Sequence, residues 1–297
     1  MGSRLLDEEF IARIEQLELV SRKIVSGALK GERRSKRRGH STEFADYRPY
    51  VVGDDLRHVD WNIYARLDRL FLKVFLEEED LRLDILVDAS GSMRFGEPQK
   101  FEYARKVAAA LAYTGLVNQD RVQIGAFSSR LQTVFGPARG RRQLHRLLDT
   151  MERLETFEDD TTDLARSCKD FTSQGGRGGI LLFITDFFDR RGFAASLRYL
   201  LGAGRSTEIF VFHVLAPQEI DPSLAGDLRL VDVEDGAVAE VTISAPLLRQ
   251  YARTLESFRA EIRQFCAARG INYVFTSSAV PFDQLILGYL RQRGLVR

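Results

Sequence analysis

Short strand candidates recur along this chain, at 83–88, 121–127, 131–135, 180–186, 208–215 and 271–276, several of them nearly continuous apolar runs. A strand without polar alternation must be covered on both faces, the condition of a strand inside a parallel sheet. Between the runs, Phe101, Ala104, Val107, Ala108 and Leu111 recur at helical spacing. Tyr251, Leu255, Phe258, Ile262 and Phe265 do so again, with Pro246 near the start and Gly270 at the stop. Strand and helix in alternation predict an α/β fold, a doubly wound, mostly parallel six-stranded sheet flanked by helices. Two strand-like runs around Asp235 and Gly236, within 227–243, interrupt that rhythm and read as an inserted β-hairpin.

Composition narrows the function classes. The chain has 43 Lys and Arg against 42 Asp and Glu, so its formal charge of +1 calls for neither nucleic acid nor an anionic membrane. Its longest apolar stretches fall short of the roughly 20 residues that cross a bilayer, and the N-terminus carries no signal-peptide pattern, which predicts a cytoplasmic protein without membrane insertion. The two cysteines, Cys168 and Cys266, support neither a disulfide framework nor a thiolate zinc site and read as ordinary structural residues.

The N-terminal part is different in kind. Leu5 to Leu29 places Phe10, Ile14, Leu17 and Val20 or Ser21 at helical spacing and breaks at Gly27 and Gly31. Residues 30–41 form a basic run with no apolar residue, read as a loop in which Arg33, Arg34, Arg37 and Arg38 are candidate partner contacts. From 46 to 79 the chain is dense in aromatics, Arg and Asp. Asp54, Asp55, Asp60, Arg57 and Arg66 are expected to form an ion-pair network, with Trp61 as a packing anchor and a strand over 69–76. The expected division is an N-terminal region, 1–79, packing on a main domain, 80–297.

The chemistry concentrates where strands end. In "ILVDASGSM", residues 85–93, a buried strand runs into a turn bearing Asp88, Ser90 and Ser92, and "LLFITDFFD" ends a later strand at Asp186. Between them "DDTTDLARS" sets Thr161 and Thr162 at the opening of a helix. Ligands of doubly wound sheets sit beyond the carboxyl ends of the strands, so these segments can share one crevice. Ser90 lacks the flanking glycines of a nucleophile elbow, and the turn has one glycine and no following Lys, unlike a phosphate loop. Hydroxyls with carboxylates make an all-oxygen shell suited to Mg2+ or Mn2+. A shell so rich in neutral hydroxyls leaves such an ion open to a carboxylate from another molecule. Asp, Ser and Thr are also good helix caps, so capping is the competing use of both segments.

The ordered set Asp88, Ser90, Ser92, Thr162 and Asp186 resembles the metal-ion-dependent adhesion site of von Willebrand factor type A domains, over about residues 80–280. That resemblance implies Ser90 and Ser92 as direct ligands, Thr162 direct or through water, Asp88 and Asp186 mainly through water, and a partner's Glu or Asp completing the shell. The stretch "YRPYVVGDDLRHVDWNIYARLDRLFLKVFLEEE" is similar to the signature of the bacterial domain-of-unknown-function family 58, which joins such a domain to this preceding segment. The chain departs from the adhesion-site pattern in two places. Asp160 and Thr161 stand where a Gly-Gly pair is usual, leaving Thr161 and Thr162 as alternatives, and Phe187 follows Asp186 where glycine is common. Family resemblance further implies a non-enzymatic module with a MoxR-type AAA+ ATPase or its client as partner, in a chaperone-like system. The rival reading is a metal-dependent hydrolase or phosphatase with Asp88 as base or nucleophile.

Overall fold

A computed structural model describes residues 5–17, 19, 43–52, 54, 56–76, 81–157, 162–175, 178–204, 206–232, 236–291 and 295–296. Arg33, Arg34, Arg37, Arg38, Asp55, Thr161 and the expected helix break at Gly27 and Gly31 lie outside the described residues. The chain divides into one unit made of Met1–Ile24 with Leu81–Arg297, and a second made of Val25–Asp80.

The first unit carries the sheet. Its strands are β3 (Arg82–Asp88), β4 (Arg121–Phe127), β5 (Leu131–Arg139), β6 (Gly179–Thr185), β7 (Thr207–Leu215) and β10 (Asn272–Ser277), in the order β10-β7-β6-β3-β4-β5. All neighbours are parallel except β5, which runs antiparallel to β4 at one edge. This is the doubly wound α/β sheet expected from the apolar runs. The strands alternate their burial between two layers. Leu83, Ile85 and Val87 of β3 face one core with Ala104, Val107, Ala108 and Leu111 of α3 (Lys100–Val117). Leu86, Leu181, Phe183 and Val211 face the other. There they meet Leu164 and Cys168 of α5 (Leu164–Ser173), Leu197 of α6 (Ala194–Leu201) and Ile262 and Cys266 of α7 (Ala245–Ala267). Each such buried aliphatic side chain contributes roughly 1.5–3 kcal/mol, so the two layers supply the main stabilisation of the unit. Both cysteines are free and buried, and burial raises both thiol pKa values, which keeps them unreactive.

One glycine is dictated by a close approach. Gly179 opens β6 at φ +90°, and a Cβ there would lie 2.1 Å from the Arg82 carbonyl oxygen, so no other residue lets β6 start beside β3. The helix α4 (Leu144–Arg153) follows β5. The hairpin β8 (Gly226–Val231) and β9 (Val238–Ile243) is antiparallel, as its sequence predicts.

The N-terminal helix is shorter than its periodicity suggests. The helix α1 (Glu8–Ile14) starts at Asp7, whose carboxylate accepts the Phe10 N–H at 2.7 Å, and is capped at Glu15. Beyond it Leu17 and Leu19 are buried outside a helix, and Leu19 bridges Val296. Because Phe10 and Ile14 enter the core beside α3, this helix belongs with the sheet unit rather than with residues 30–79.

The second unit pairs β1 (Glu43–Pro49) antiparallel with β2 (Phe71–Leu76), and α2 (Trp61–Leu67) lies between them in sequence. Asp60 caps α2 through Asn62 N–H at 2.9 Å and accepts the Tyr47 hydroxyl at 3.1 Å. Asp54 takes a two-pronged bond from Arg48, both prongs at 2.7 Å, while Asp60 serves as a cap. Trp61 is no buried anchor: it is 58% exposed on the first turn of α2, edge-on to Tyr64.

Candidate functional site

The sheet reverses its winding between β3 and β6. From β3 the chain moves out through β4 and β5, then returns to β6 on the other side of β3. Loops leaving two such strands diverge and open a crevice at their carboxyl ends. Register pairs Val87 with Ile184, so Asp88, the last residue of β3, comes level with Thr185 at the end of β6, and Asp186 follows one residue on. Asp88 and Asp186 are both buried at 1% exposure.

Asp88 is held on both oxygens. Its Oδ1 accepts the Ser90 N–H at 3.0 Å and its Oδ2 accepts the Thr185 hydroxyl at 2.5 Å. Thr185 Oγ1 in turn accepts the Phe187 N–H at 3.0 Å, which ties the turn after β6 to the turn after β3. Burial and then the nearby Asp186 charge push the Asp88 pKa up to about 7, against the opposing hydrogen bonds from Ser90 and Thr185. A carboxylate kept this far from water is costly as an anion, and a cation beside it relieves that cost.

The Ser90 hydroxyl is not used as a cap. Ser90 precedes the 3-10 turn Gly91–Arg94 yet makes no side-chain capping bond; its Oγ lies 3.1 Å from Ser92 Oγ, both side chains buried. At α5 the cap is Asp163, which accepts the Arg166 N–H at 2.9 Å, and Thr162 before it is buried at 7% exposure. The segment before α5 is fastened to the same corner. Asp163 N–H donates to Ser128 beyond β4, Leu164 N–H donates to Asp189 Oδ2 at 2.9 Å, and Arg191 pairs with Asp163. Phe157 N–H donates to the Ala89 carbonyl at 2.7 Å. The segments that carry Asp88, Ser90, Ser92, Thr162 and Asp186 therefore meet at the carboxyl end of the sheet, the first three residues in direct hydrogen-bonded sequence.

Lys100 is the resident that sequence reasoning missed. Its ammonium, on the first residue of α3, is wholly buried and donates to Asp186 Oδ2 at 2.7 Å and Glu219 Oε1 at 2.5 Å. Burial works against the ammonium, but Asp186 and Glu219 outweigh it and hold its pKa above the ordinary lysine value. A signal was present: Lys100, Ala104, Val107 and Leu111 share one helical stripe, so a charged residue stands in register with a buried face. Phe187 is a second departure. It adopts φ +62°, the left-handed region favoured by glycine, while its ring is buried against Phe183 and His213. Packing thus holds a strained turn directly after Asp186.

The donor set fits a hard divalent cation better than a soft one. Among the described residues no group of three or more His, Cys, Asp or Glu side chains is arranged to hold a metal ion. What converges instead is two serine hydroxyls beside a doubly held carboxylate, an oxygen set that suits Mg2+ or Mn2+.

The fold is a doubly wound α/β domain with a six-stranded, mostly parallel sheet, and the corner stands at its strand-order switch. The chain belongs to the family described as "Protein of unknown function DUF58", whose profile matches residues 46–261. It is 29% identical over 259 residues to "Uncharacterized protein Rv1480" of Mycobacterium tuberculosis (strain ATCC 25618 / H37Rv), covering 86% of this chain and 81% of that protein. The match to "Uncharacterized protein Mb1516" of Mycobacterium bovis has the same identity and coverage. Among solved structures, conserved hypothetical protein BatB from Bacteroides thetaiotaomicron aligns at 17% identity and TM-score 0.45, over 71% of this chain and 98% of that one. Proximal thread matrix protein 1 from the mussel byssus, with a zinc-occupied MIDAS motif, aligns at 13% identity and TM-score 0.42, over 70% and 46%. Among the described residues no helix is long and apolar enough to cross a membrane.

Proposed function

We propose that this protein is a metal-dependent protein–protein interaction module that binds an Asp or Glu side chain of a partner. The observation that carries the reading is the use of Ser90 and Ser92: two buried hydroxyls, 3.1 Å apart, sit at the strand-order switch without capping the turn they begin. Ser90, Ser92 and Thr162 would hold the ion, with Asp88 and Asp186 behind them. Mg2+ or Mn2+ bound there would supply a Lewis-acidic position for a carboxylate oxygen from outside the chain. Thr185 and the Ser90 N–H fix the Asp88 carboxylate in place. Lys100 offsets part of the Asp186 charge, so the corner carries less negative charge than its carboxylates alone would give. An under-neutralised ion is the one that gains most from a partner's carboxylate.

The family resemblance supports a MoxR-type AAA+ ATPase or one of its clients as that partner, in a cytoplasmic, chaperone-like system. The test is capture from native cytosol with Mg2+ or with chelator, beside Asp88→Ala. A partner retained only by the wild type with Mg2+ supports the module; a partner set indifferent to both overturns it. Turnover of a generic phosphoester that is lost on Asp88→Ala would assign the corner to hydrolysis instead.

A further inference from the structure

A cleft of about 850 Å³ opens from Ser92 along the face of the sheet unit, in the size range of preformed ligand pockets. Its walls are aromatic. Phe188 stacks on Phe258 with ring centroids 6.5 Å apart, Tyr251 is exposed above them on α7, and Val231, 62% exposed, borders the cleft from β8. These walls are fastened in place. The Tyr251 hydroxyl donates to the Glu219 carbonyl at 2.7 Å, and Arg190 pairs with Asp232 at 2.7 Å, which joins the end of the hairpin to the loop after β6.

The charges around the cleft are sorted. Its carboxylates are already engaged: Glu219 by Lys100, Asp189 by the Leu164 and Arg191 N–H groups, and Asp232 by Arg190. Arg94 and Arg190 stand among its lining residues, and the Lys100 ammonium lies 4.9 Å from the Phe188 ring. The Arg94 guanidinium, an oxygen corner at Ser92 and an apolar floor line one continuous surface. An occupant that matches all three carries an acid next to a large apolar group.

We infer that this cleft receives the aromatic or large aliphatic side chain that neighbours the partner's acidic residue, so the recognised element is an extended acidic–apolar peptide segment. The inference rests on the metal-dependent reading for its acidic half. The preformed aromatic wall supplies the apolar half, because ordering it costs little on binding. Tyr and Phe walls of this kind concentrate binding energy in few contacts.

A displayed peptide library with a fixed central Glu and random flanks, selected on the full chain with Mg2+, tests both halves. The variants are Tyr251→Ala and Thr254→Trp; Thr254 is an exposed lining residue, so the indole fills the cleft without entering the core. The expected result is enrichment of aromatic or large aliphatic residues at a fixed offset from Glu. Both variants then lose that preference, and about tenfold in affinity for the enriched peptides, while Mg2+-dependent selection of Glu over Gln persists. Selection of Glu without an apolar preference, or an apolar preference unchanged by both variants, overturns the cleft assignment and leaves the metal reading standing. Apolar peptides selected with no dependence on Glu or Mg2+ overturn the combined element and the metal reading together. Self-association of the free chain that Thr254→Trp abolishes would assign the cleft to a second copy and overturn the peptide assignment.

Discussion

Lys100 Nζ lies 2.7 Å from Asp186 Oδ2, a fully buried ammonium paired with a carboxylate at the strand-order switch. Glu219 completes the triad at 2.5 Å. Breaking such a group by deleting its cation leaves two carboxylates without their charge partner, which costs about 3–5 kcal/mol. Lys100→Met is therefore expected to lower unfolding free energy by that amount in a denaturant titration. Because a divalent cation can replace the missing positive charge, Mg2+ should stabilise Lys100→Met more than it stabilises the wild type. Equal Mg2+ effects in the two proteins would separate Lys100 from the metal corner.

Burial makes the Asp88 anion costly. Its folded pKa of about 7 lies above the unfolded value near 3.9, so between those values the folded state binds the extra proton. The Asp88 contribution is thus fully present below about pH 4 and lost as pH rises through about 7. In metal-free protein at pH 8, Asp88→Asn should be at least as stable as the wild type, since it removes a buried anion. With Mg2+ present the order should reverse. Thermal unfolding with and without chelator reads both; a variant less stable than the wild type in chelator would give Asp88 a purely structural role.

His213 gives a pH dependence of the opposite sign. The ring is buried, with Nδ1 at 2.8 Å from the Tyr273 hydroxyl, and burial lowers its pKa to about 3 despite the nearby Asp186 charge. The unfolded state takes up a proton near pH 6.5 that the folded state refuses, so stability from this group is lost as pH falls from about 6.5 toward 3. The difference in stability between wild type and His213→Gln should shrink over that window, by about 1.4 kcal/mol per pH unit. A constant difference would contradict the buried neutral imidazole.

Asp189 acts on the corner from behind. It accepts the Leu164 N–H on one oxygen and the Arg191 N–H on the other, which holds the segment carrying Thr162 against the loop that follows Asp186. Asp189→Ala is expected to weaken divalent-cation affinity about tenfold with every proposed ligand intact, the effect typical of lost outer-shell support. Calorimetric titration checks it, and unchanged affinity would detach Thr162 from the site.

The central strands were legible because buried parallel strands leave nearly continuous apolar runs, and the hairpin because Asp235 and Gly236 signal a tight turn. The sequence reading stops β5 at Phe135, yet the strand continues through Gly136 and Pro137 to Arg139: an antiparallel edge strand tolerates a proline that a central one does not. The strand β1 was hidden by the charges and proline of 43–49, whose pairing with β2 depends on a partner far along the chain. Trp61 was misread because an aromatic among Arg and Asp looks like an anchor, whereas α2 buries no residue among those described. At the corner, Asp88, Ser90, Ser92 and Asp186 were visible as strand-end polar residues, but Lys100 and Glu219 were not. Their meeting depends on α3 and the turn after β7 converging in space, which residue spacing alone does not encode.

The central claim is that the corner formed by Asp88, Ser90, Ser92, Thr162 and Asp186 holds a divalent cation, and Mn2+ titration followed by electron paramagnetic resonance tests it most directly. The account predicts one saturable Mn2+ per wild-type chain, displaced by Mg2+, and loss of that binding in Ser90→Ala and in Asp88→Ala with both variants folded. Saturable binding that survives both substitutions, or no saturable binding by the wild type, would contradict it.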